Sequence, residues 1–356
     1  MTDKEIKYDN LMVYYFSGTG NAKRSAEWIV GHAAENRLNS RIVSIDRFKE
    51  VVRPEMPEGR TLSGICYPTH GFNAPPIIYR FIRKMERGNG DRIFLLNTRA
   101  GMKLSKLFLP GLSGLALLWP ALLLLLKGYR IVALRPVDLP SNWISLHPGL
   151  RRRVIDSLFE RWRKKVRIFS EKLLRGKRMF PNFISVPLDL AIAPVSLGYY
   201  YFGRYMLAKT FIATSACTSC NLCEKRCPTN SIKMINGKPY WKFTCESCMR
   251  CMNLCPHRAI ETMHSVSVLL WYLSWSAIPA YIFFLLFEKG ILSVLDQWLI
   301  VVLYYIIAIP LSLLLVYMSY RILHYGMRYR LVNRIVANTS LTHYRFWRRY
   351  KPKAGI

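Results

Sequence analysis

The chain of 356 residues carries 52 Lys and Arg against 21 Asp and Glu, a formal charge of +31, and its length predicts two or three domains. Such a charge points to nucleic acid or to an anionic membrane surface; long apolar segments in the same chain decide for membrane lipid and exclude nucleic acid as the expected partner. Eight of the nine cysteines fall in two short runs, which excludes a disulfide framework and predicts thiols held for metal in a reducing compartment, the cytoplasm.

Residues 1–10 are polar and lead straight into a strand pattern, so no signal peptide is expected. Residues 11–16 (LMVYYF) read as a buried strand. Ser17, Gly18, Thr19, Gly20, Asn21 and Ala22 then turn into a helical pattern through Ala26, Trp28, Ile29 and Val30. A strand, a Gly-rich turn and a helix N-terminus aim amide groups and the helix dipole at one spot, which suits a phosphate; ordinary turns share the pattern. Residues 41–45, 62–67, 92–97 and 130–137 supply four more short apolar strands, separated by helical segments and without hairpin signals. The fold class is therefore α/β, a doubly wound parallel sheet between helices. Cys66, at the end of one strand, reads as a small core residue. Two loops lie at the carboxyl edge beside the phosphate turn, where such sheets bind ligands: Pro68, Thr69, His70, Gly71, Phe72 and Asn73, and Asn97, Thr98, Arg99, Ala100 and Gly101.

Residues 107–126 are 20 uncharged residues between Lys106 and Lys127, long enough to cross a bilayer. The next strand must return to the same sheet, which forbids a single crossing, and Pro110, Gly111, Gly114 and Pro120 break the run. An interfacial or re-entrant segment is expected, with a buried helix of the α/β layer as the alternative. Residues 151–178 hold 12 Lys and Arg against 3 acids, with Ile155, Leu158, Phe159, Trp162, Val166, Phe169 and Leu173 at helical spacing. This is the last helix of the sheet domain, its basic face suited to anionic headgroups. Residues 180–205 form an apolar linker rich in Pro and Tyr.

Cys217, Cys220 and Cys223 are followed by Cys227-Pro228, and Cys245, Cys248 and Cys251 by Cys255-Pro256, one run repeated 28 residues on. Zinc sites use paired cysteines too, but they need no third Cys at the same step followed by Cys-Pro. In this bacterial run the fourth Cys ligates the other cluster. One [4Fe-4S] cluster is therefore assigned to Cys217, Cys220, Cys223 and Cys255, and a second to Cys245, Cys248, Cys251 and Cys227.

Residues 266–287 and 298–320 are uncharged stretches of 22 and 23 residues, each long enough to span a membrane. The short connector between them predicts a hairpin, and Pro279 and Pro310 are expected to kink it. Residues 321–356 hold nine Lys and Arg and no acids, which places this tail and the amino-terminal domains on the cytoplasmic side of the cytoplasmic membrane. The run from His343 to Lys351 interleaves aromatics with cations and reads as an interfacial anchor.

With these motifs, residues 11–178 resemble a flavodoxin and residues 207–262 a two-cluster ferredoxin, joined through Leu139-Pro140-Ser141-Asn142-Trp143. The chain is similar to the flavodoxin-ferredoxin fusion family, over about three quarters of its length. The resemblance implies a flavodoxin-like domain at 1–178, with 107–126 as an apolar insertion, and a small α+β ferredoxin domain at 207–264; the apolar and basic runs add a linker at 179–206, a transmembrane hairpin at 265–320 and a basic tail at 321–356, a departure from a family that is ordinarily soluble. It further implies FMN, its phosphate on residues 17–22 and its ring between the 68–72 and 97–101 loops, with Arg99 near the reduced ring and His70 against it. Ala22 departs from the pattern, since flavodoxin phosphate loops usually carry a hydroxyl residue there. A membrane-anchored electron-transfer protein follows, passing electrons between FMN and the clusters to a redox partner or lipid-soluble acceptor. Two alternatives stand beside it: a flavin-dependent reductase of a quinone or isoprenoid lipid, and an iron-sulfur sensor or assembly subunit.

Overall fold

A computed structural model describes residues 6–48, 55–181, 185–290 and 296–348. Strands β1 (Asn10–Tyr15), β2 (Asn39–Ser44), β3 (Thr61–Pro68), β4 (Arg92–Ala100) and β5 (Arg130–Leu139) form a parallel sheet in the order β2-β1-β3-β4-β5. This is the flavodoxin-like order, with its ligand crevice at the carboxyl ends of β1 and β3. Both faces of the central strands are covered, which is why β1 and β4 read as apolar runs, whereas the edge strand β2 is largely exposed. Leu11, Val13, Phe94 and Leu96 pack against α1 (Asn21–Glu35) and α4 (Arg152–Leu174) through Ala26, Ile29, Trp162, Val166 and Phe169. Met12, Tyr14, Ile65, Ile93 and Leu95 face α2 (Pro76–Lys84) and α3 (Leu115–Leu126). The stripe expected on α4 is the buried one, and Cys66 lies in the core.

The 107–126 run is not re-entrant. After a hairpin that the sequence does not announce (Met102–Leu104 with Leu107–Leu109), α3 forms the crossover that returns the chain from β4 to β5. Leu117, Ala121 and Leu124 are buried against the sheet, whereas Trp119, Leu122, Leu125 and Leu126 stay exposed. Pro120 has no N–H for the Ala116 carbonyl, which accepts the Tyr67 hydroxyl instead at 2.8 Å. Asp189 closes the front of α3, accepting from the Ser113 and Gly114 amides at 2.9 and 2.8 Å. It belongs to a string of short helical segments from Ser185 to Ala208, within the stretch expected as a linker.

The small domain pairs β6 (Phe211–Ala213) with β9 (Ile260–Thr262), and β7 (Ile232–Ile235) with β8 (Lys238–Trp241), all antiparallel. Asn236 and Gly237 turn the β7–β8 hairpin, both at positive φ, as an Asn-Gly turn favours. Helices α5 (Leu222–Lys225) and α6 (Arg250–Leu254) lie inside the two Cys runs and carry Cys223 and Cys251.

Helices α7 (His264–Glu288) and α8 (Gln297–Gly326) are long and apolar enough to cross a membrane. They contain the expected stretches, and the 291–295 part of their connector lies outside the described residues. A π-helical turn at Leu273–Ala277 accommodates Pro279. Beside it, the Ser312 hydroxyl donates to the Ser274 carbonyl at 2.6 Å, fastening the two helices. Tyr320 anchors α8 to the small domain: its hydroxyl donates to the Phe211 carbonyl at 3.1 Å and accepts from the Trp241 amide at 3.4 Å. The tail folds back as α9 (Arg330–Asn338) and ends with Trp347 buried, its indole donating to the Ile144 carbonyl at 2.5 Å. Trp347 is thus a packing residue rather than an anchor, while Tyr344 and Phe346 remain exposed; the end of that aromatic-cationic run lies outside the described residues.

Phe169→Ala, which empties the space between α4 and β4, is expected to cost about 3–5 kcal/mol, read as a lowered unfolding midpoint in detergent. Exposed Ile168→Ala should change it little; equal shifts for the two variants would contradict this packing.

Candidate functional site

The two Cys runs fold alike. Ser219 and Asn221 flank the middle Cys of the first run and Ser247 and Met249 that of the second, all at positive φ, and Asn230 and Arg258 repeat the match after each Cys-Pro. Non-Gly residues in this conformation cost energy, so the surrounding packing dictates the wrap. The Ser231 amide donates to Cys227 Sγ at 3.2 Å and, 28 residues on, the Ala259 amide to Cys255 Sγ at 3.3 Å. Such bonds favour the thiolate and tune a cluster's potential.

Cys217, Cys220, Cys223 and Cys255 line one small cavity walled by Met234, Pro239 and Ile260. Burial pushes the Cys223 thiol up to about 11, and the charges of Cys217 and Cys255 act in the same direction. In the other set, burial pushes Cys245, Cys248 and Cys251 up, Cys248 to about 12, and the charge of Cys227 reinforces each. Cys255 thus lines the cavity of the first run, and Cys227 lies close enough to the second run for its charge to act on all three of its thiols. Thiols gathered in this way are a donor set that suits a metal group, which would take them as thiolates. Among the described residues no three His, Cys, Asp or Glu converge as a site for one metal ion. A cubane asks for a wider set, because each of its irons takes one thiolate.

The second run rests on the carboxyl edge of the parallel sheet. A Cβ on Gly18 would strike the Cys248 carbonyl, so only glycine permits this approach. Arg250, buried, donates to the Ser17 carbonyl at 2.5 Å and to both Asp46 carboxylate oxygens at 2.5 and 3.0 Å. Burial alone would lower its pKa, but the bond to Asp46 and its charge outweigh that. Arg47 grips the first run, donating to the Cys227 and Glu224 carbonyls at 2.8 and 2.9 Å. Glu246, buried beside Cys245, pairs with Arg80 at 2.6 Å and accepts from the Ile77 amide at the start of α2 at 3.2 Å; burial raises its pKa and Arg80 opposes the rise. On the far side, Lys209 donates to the Trp241 carbonyl at 2.5 Å and lies 4.3–4.6 Å from the ring centres of Tyr240, Phe243 and Tyr320. Burial pulls its pKa down to about 8, with the Cys245 charge opposing, so it remains a cation near the second set at neutral pH. Nothing in the sequence marks Lys209 or Arg250; only the tertiary neighbours do.

The predicted flavin residues are brought together but covered. Ser17, Thr19, Asn21 and Ala22 are each 1% exposed or less. The amides of Gly18, Thr19, Gly20 and Ala22 have no hydrogen-bond partner among the described residues, a row that suits a phosphate. Segment 140–143 lies over it: Thr19 donates its hydroxyl to Asn142 Oδ1, and Asn21 Nδ2 donates to the Pro140 carbonyl at 2.8 Å. Between the other two loops, the Thr69 amide donates to the Thr98 carbonyl at 2.8 Å and Asn97 Nδ2 to Thr69 Oγ1 at 2.7 Å. His70 is buried with both ring nitrogens unpartnered, 5.9 Å from the Trp143 ring centre, and Trp143 is 5.0 Å from Tyr199, which presses on Gly71. Trp143 donates to the Ser247 carbonyl at 3.1 Å, tying the cover to the second Cys run. Pro68 ends β3, and the Phe72 carbonyl accepts from the Leu115 amide at 2.9 Å, tying the loop to α3. Arg99 is held by Asp138 at 2.5 Å; Ala100 ends β4 and the Gly101 amide donates to the Leu139 carbonyl at 2.8 Å. The donors thus fit a phosphate, while Trp143 and Tyr199 pack against His70 and Gly71, two of the residues expected to face the ring.

Residues 216–260 match the family model of the 4Fe-4S dicluster domain. These residues are a 4Fe-4S domain. No curated protein matches the chain. Solved structures similar to the sheet domain include a flavodoxin of Streptococcus pneumonia TIGR4 (13% identity, 45% of this chain and 99% of that one, TM-score 0.29). A flavodoxin from the domain Archaea (15%, 46% and 98%, 0.30) and flavodoxin 1 of Bacillus cereus (14%, 47% and 97%, 0.30) are also similar. The fold assignment rests on the strand order of the sheet, not on likenesses at these scores. A flavodoxin-like sheet domain holding a 4Fe-4S domain at its ligand edge is an electron-transfer arrangement.

Burial holds the His70 pKa at about 3, against about 6.5 in the unfolded chain. The folded state therefore binds fewer protons between those values. Its stability is complete above pH 6.5 and falls as pH drops through that window, by about 1.4 kcal/mol per pH unit. Thermal unfolding between pH 7 and 5 should show a shallower decline in His70→Leu than in the native protein; equal slopes would contradict the role given to His70.

Proposed function

We propose that the chain is a membrane-anchored electron carrier holding two [4Fe-4S] clusters, which it uses to pass single electrons to a redox protein partner or a lipid-soluble acceptor. The observation that carries this reading is the crossed cysteine arrangement, Cys255 with the first run and Cys227 with the second. Adjacent clusters sharing one small fold suit transfer between them, with potentials set by N–H···S bonds, burial and nearby charge such as Lys209. The apolar helices α7 and α8 support a two-span anchor, and the basic tail supports a cytoplasmic placement of both termini. The 4Fe-4S domain then sits at the membrane surface, because α7 begins two residues after β9. An apolar insertion beside the flavin loops would favour the lipid-reductase reading, but α3 serves as the sheet's crossover.

The flavin extends this reading. When bound, FMN would exchange electrons singly or in pairs. Its phosphate would lie on the amides of residues 18–22, and its ring between the 68–72 and 97–101 loops. That place is taken while Trp143 and Tyr199 are seated, so FMN and the seated cover are alternatives. A competent state that is little populated weakens apparent affinity in proportion. Trp143→Ala is therefore expected to bind FMN more tightly than the native protein, by about tenfold, in an anaerobic fluorescence titration. Absence of FMN binding in both would contradict the flavin reading and leave the sheet edge as a docking seat.

The crossed ligand assignment has a direct check in electron paramagnetic resonance of the reduced protein. The spectrum left by Cys227→Ser should match that left by Cys248→Ser, and that of Cys255→Ser should match Cys220→Ser. A match of Cys227→Ser with Cys220→Ser would contradict the crossing.

A further inference from the structure

Beside the first Cys run, a cleft of about 630 Å³ opens between the small domain and the tail helix α9. Its volume is that of a small-molecule site. Its walls converge Arg258, Arg330, Arg334, Arg345, His257 and His343 against one carboxylate, Glu261, which His343 already pairs at 3.0 Å. Arg330, Arg334 and Arg345 have no carboxylate partner among the described residues. Converging unpaired guanidiniums repel one another, and an anion between them removes that repulsion.

The cleft is held in shape. The Ser215 amide donates to Asn333 Oδ1 at 2.8 Å, and Asn333 Nδ2 donates to the carbonyls of Ala213 and Met327 at 3.3 and 3.0 Å. The Thr262 amide donates to Thr342 Oγ1 at 3.0 Å. These bonds fix α9 and the following turn against the ends of β6 and β9, so the arginines face a rigid wall. His257 lines both this cleft and the cavity of Cys217, Cys220, Cys223 and Cys255. The outer side of α9 exposes Tyr329, Leu331 and Ile335, next to the end of α8.

We propose that this cleft binds a phosphate-bearing anion, held by the guanidiniums of Arg330, Arg334 and Arg345. Arginine forks match phosphate oxygens in pairs. The exposed apolar side of α9 places the cleft where a lipid phosphate would reach it, and a soluble phosphate compound offers the same chemistry. A bound anion would stand one side chain from the first cluster, so its occupancy and the charge of that cluster oppose each other. That coupling rests on the cluster reading; the binding does not.

The test is calorimetric titration of the full chain, clusters intact, in a non-ionic detergent with three probes: inorganic pyrophosphate, short-chain phosphatidylglycerol and short-chain phosphatidylcholine. Saturable binding of pyrophosphate indicates a soluble phosphate ligand, and binding of phosphatidylglycerol alone a lipid headgroup; either supports the site. Affinity should drop about tenfold or more in Arg330→Gln/Arg334→Gln, and also in Arg345→Gln, with iron content unchanged. No saturable binding of either anionic probe, or equal affinity in both variants, overturns the proposal. Binding without iron would leave the site standing and overturn the cluster reading instead.

Discussion

Everything else in this molecule depends on the contact between Arg250 and the sheet edge. One guanidinium, buried at the second Cys run, bonds the Ser17 carbonyl and the Asp46 carboxylate, while Gly18 lets the Cys248 carbonyl settle onto the turn. Breaking a buried pair of this kind by removing one partner commonly costs about 3–5 kcal/mol. The contact turns two small folds into one body. It also decides what the sheet edge holds: with the second Cys run seated, the ligand crevice of the parallel sheet faces a protein loop instead of solvent.

A second set of contacts joins the 4Fe-4S domain to the apolar helices. Tyr320 and the aromatic cage of Lys209 couple α8 to the strands beneath the second Cys set. The buried ammonium is thus at once a structural rivet and a local positive charge. Positive charge near a cluster favours its reduced form. The tail closes the body from the other side, with Trp347 against Ile144 and Asn333 against β6.

Much of this was legible in the residues. Near-continuous apolar runs gave all five strands to within a few residues, and the 3.6-residue stripe of Ile155, Leu158, Trp162, Val166, Phe169 and Leu173 marked α4. The Cys repeat marked the 4Fe-4S domain, because its spacing is set by local chemistry. The unforeseen features come from tertiary contacts that no period encodes. An apolar run such as 115–126 reads alike whether it faces a sheet or a lipid, and only the need to return to β5 decides. Arg99 looked like a flavin contact because Asp138, its partner, lies 39 residues away. The cover over residues 17–22 was invisible for the same reason: Asn142 and Trp143 were visible as a joint between domains, not as side chains lying on the phosphate turn.

The central claim is that one small domain holds two cubane clusters whose ligands are exchanged between its Cys runs. The most direct measurement is iron and acid-labile sulfide per chain in protein purified and reconstituted without oxygen. About eight of each are expected; a ceiling of four or fewer irons would contradict the account.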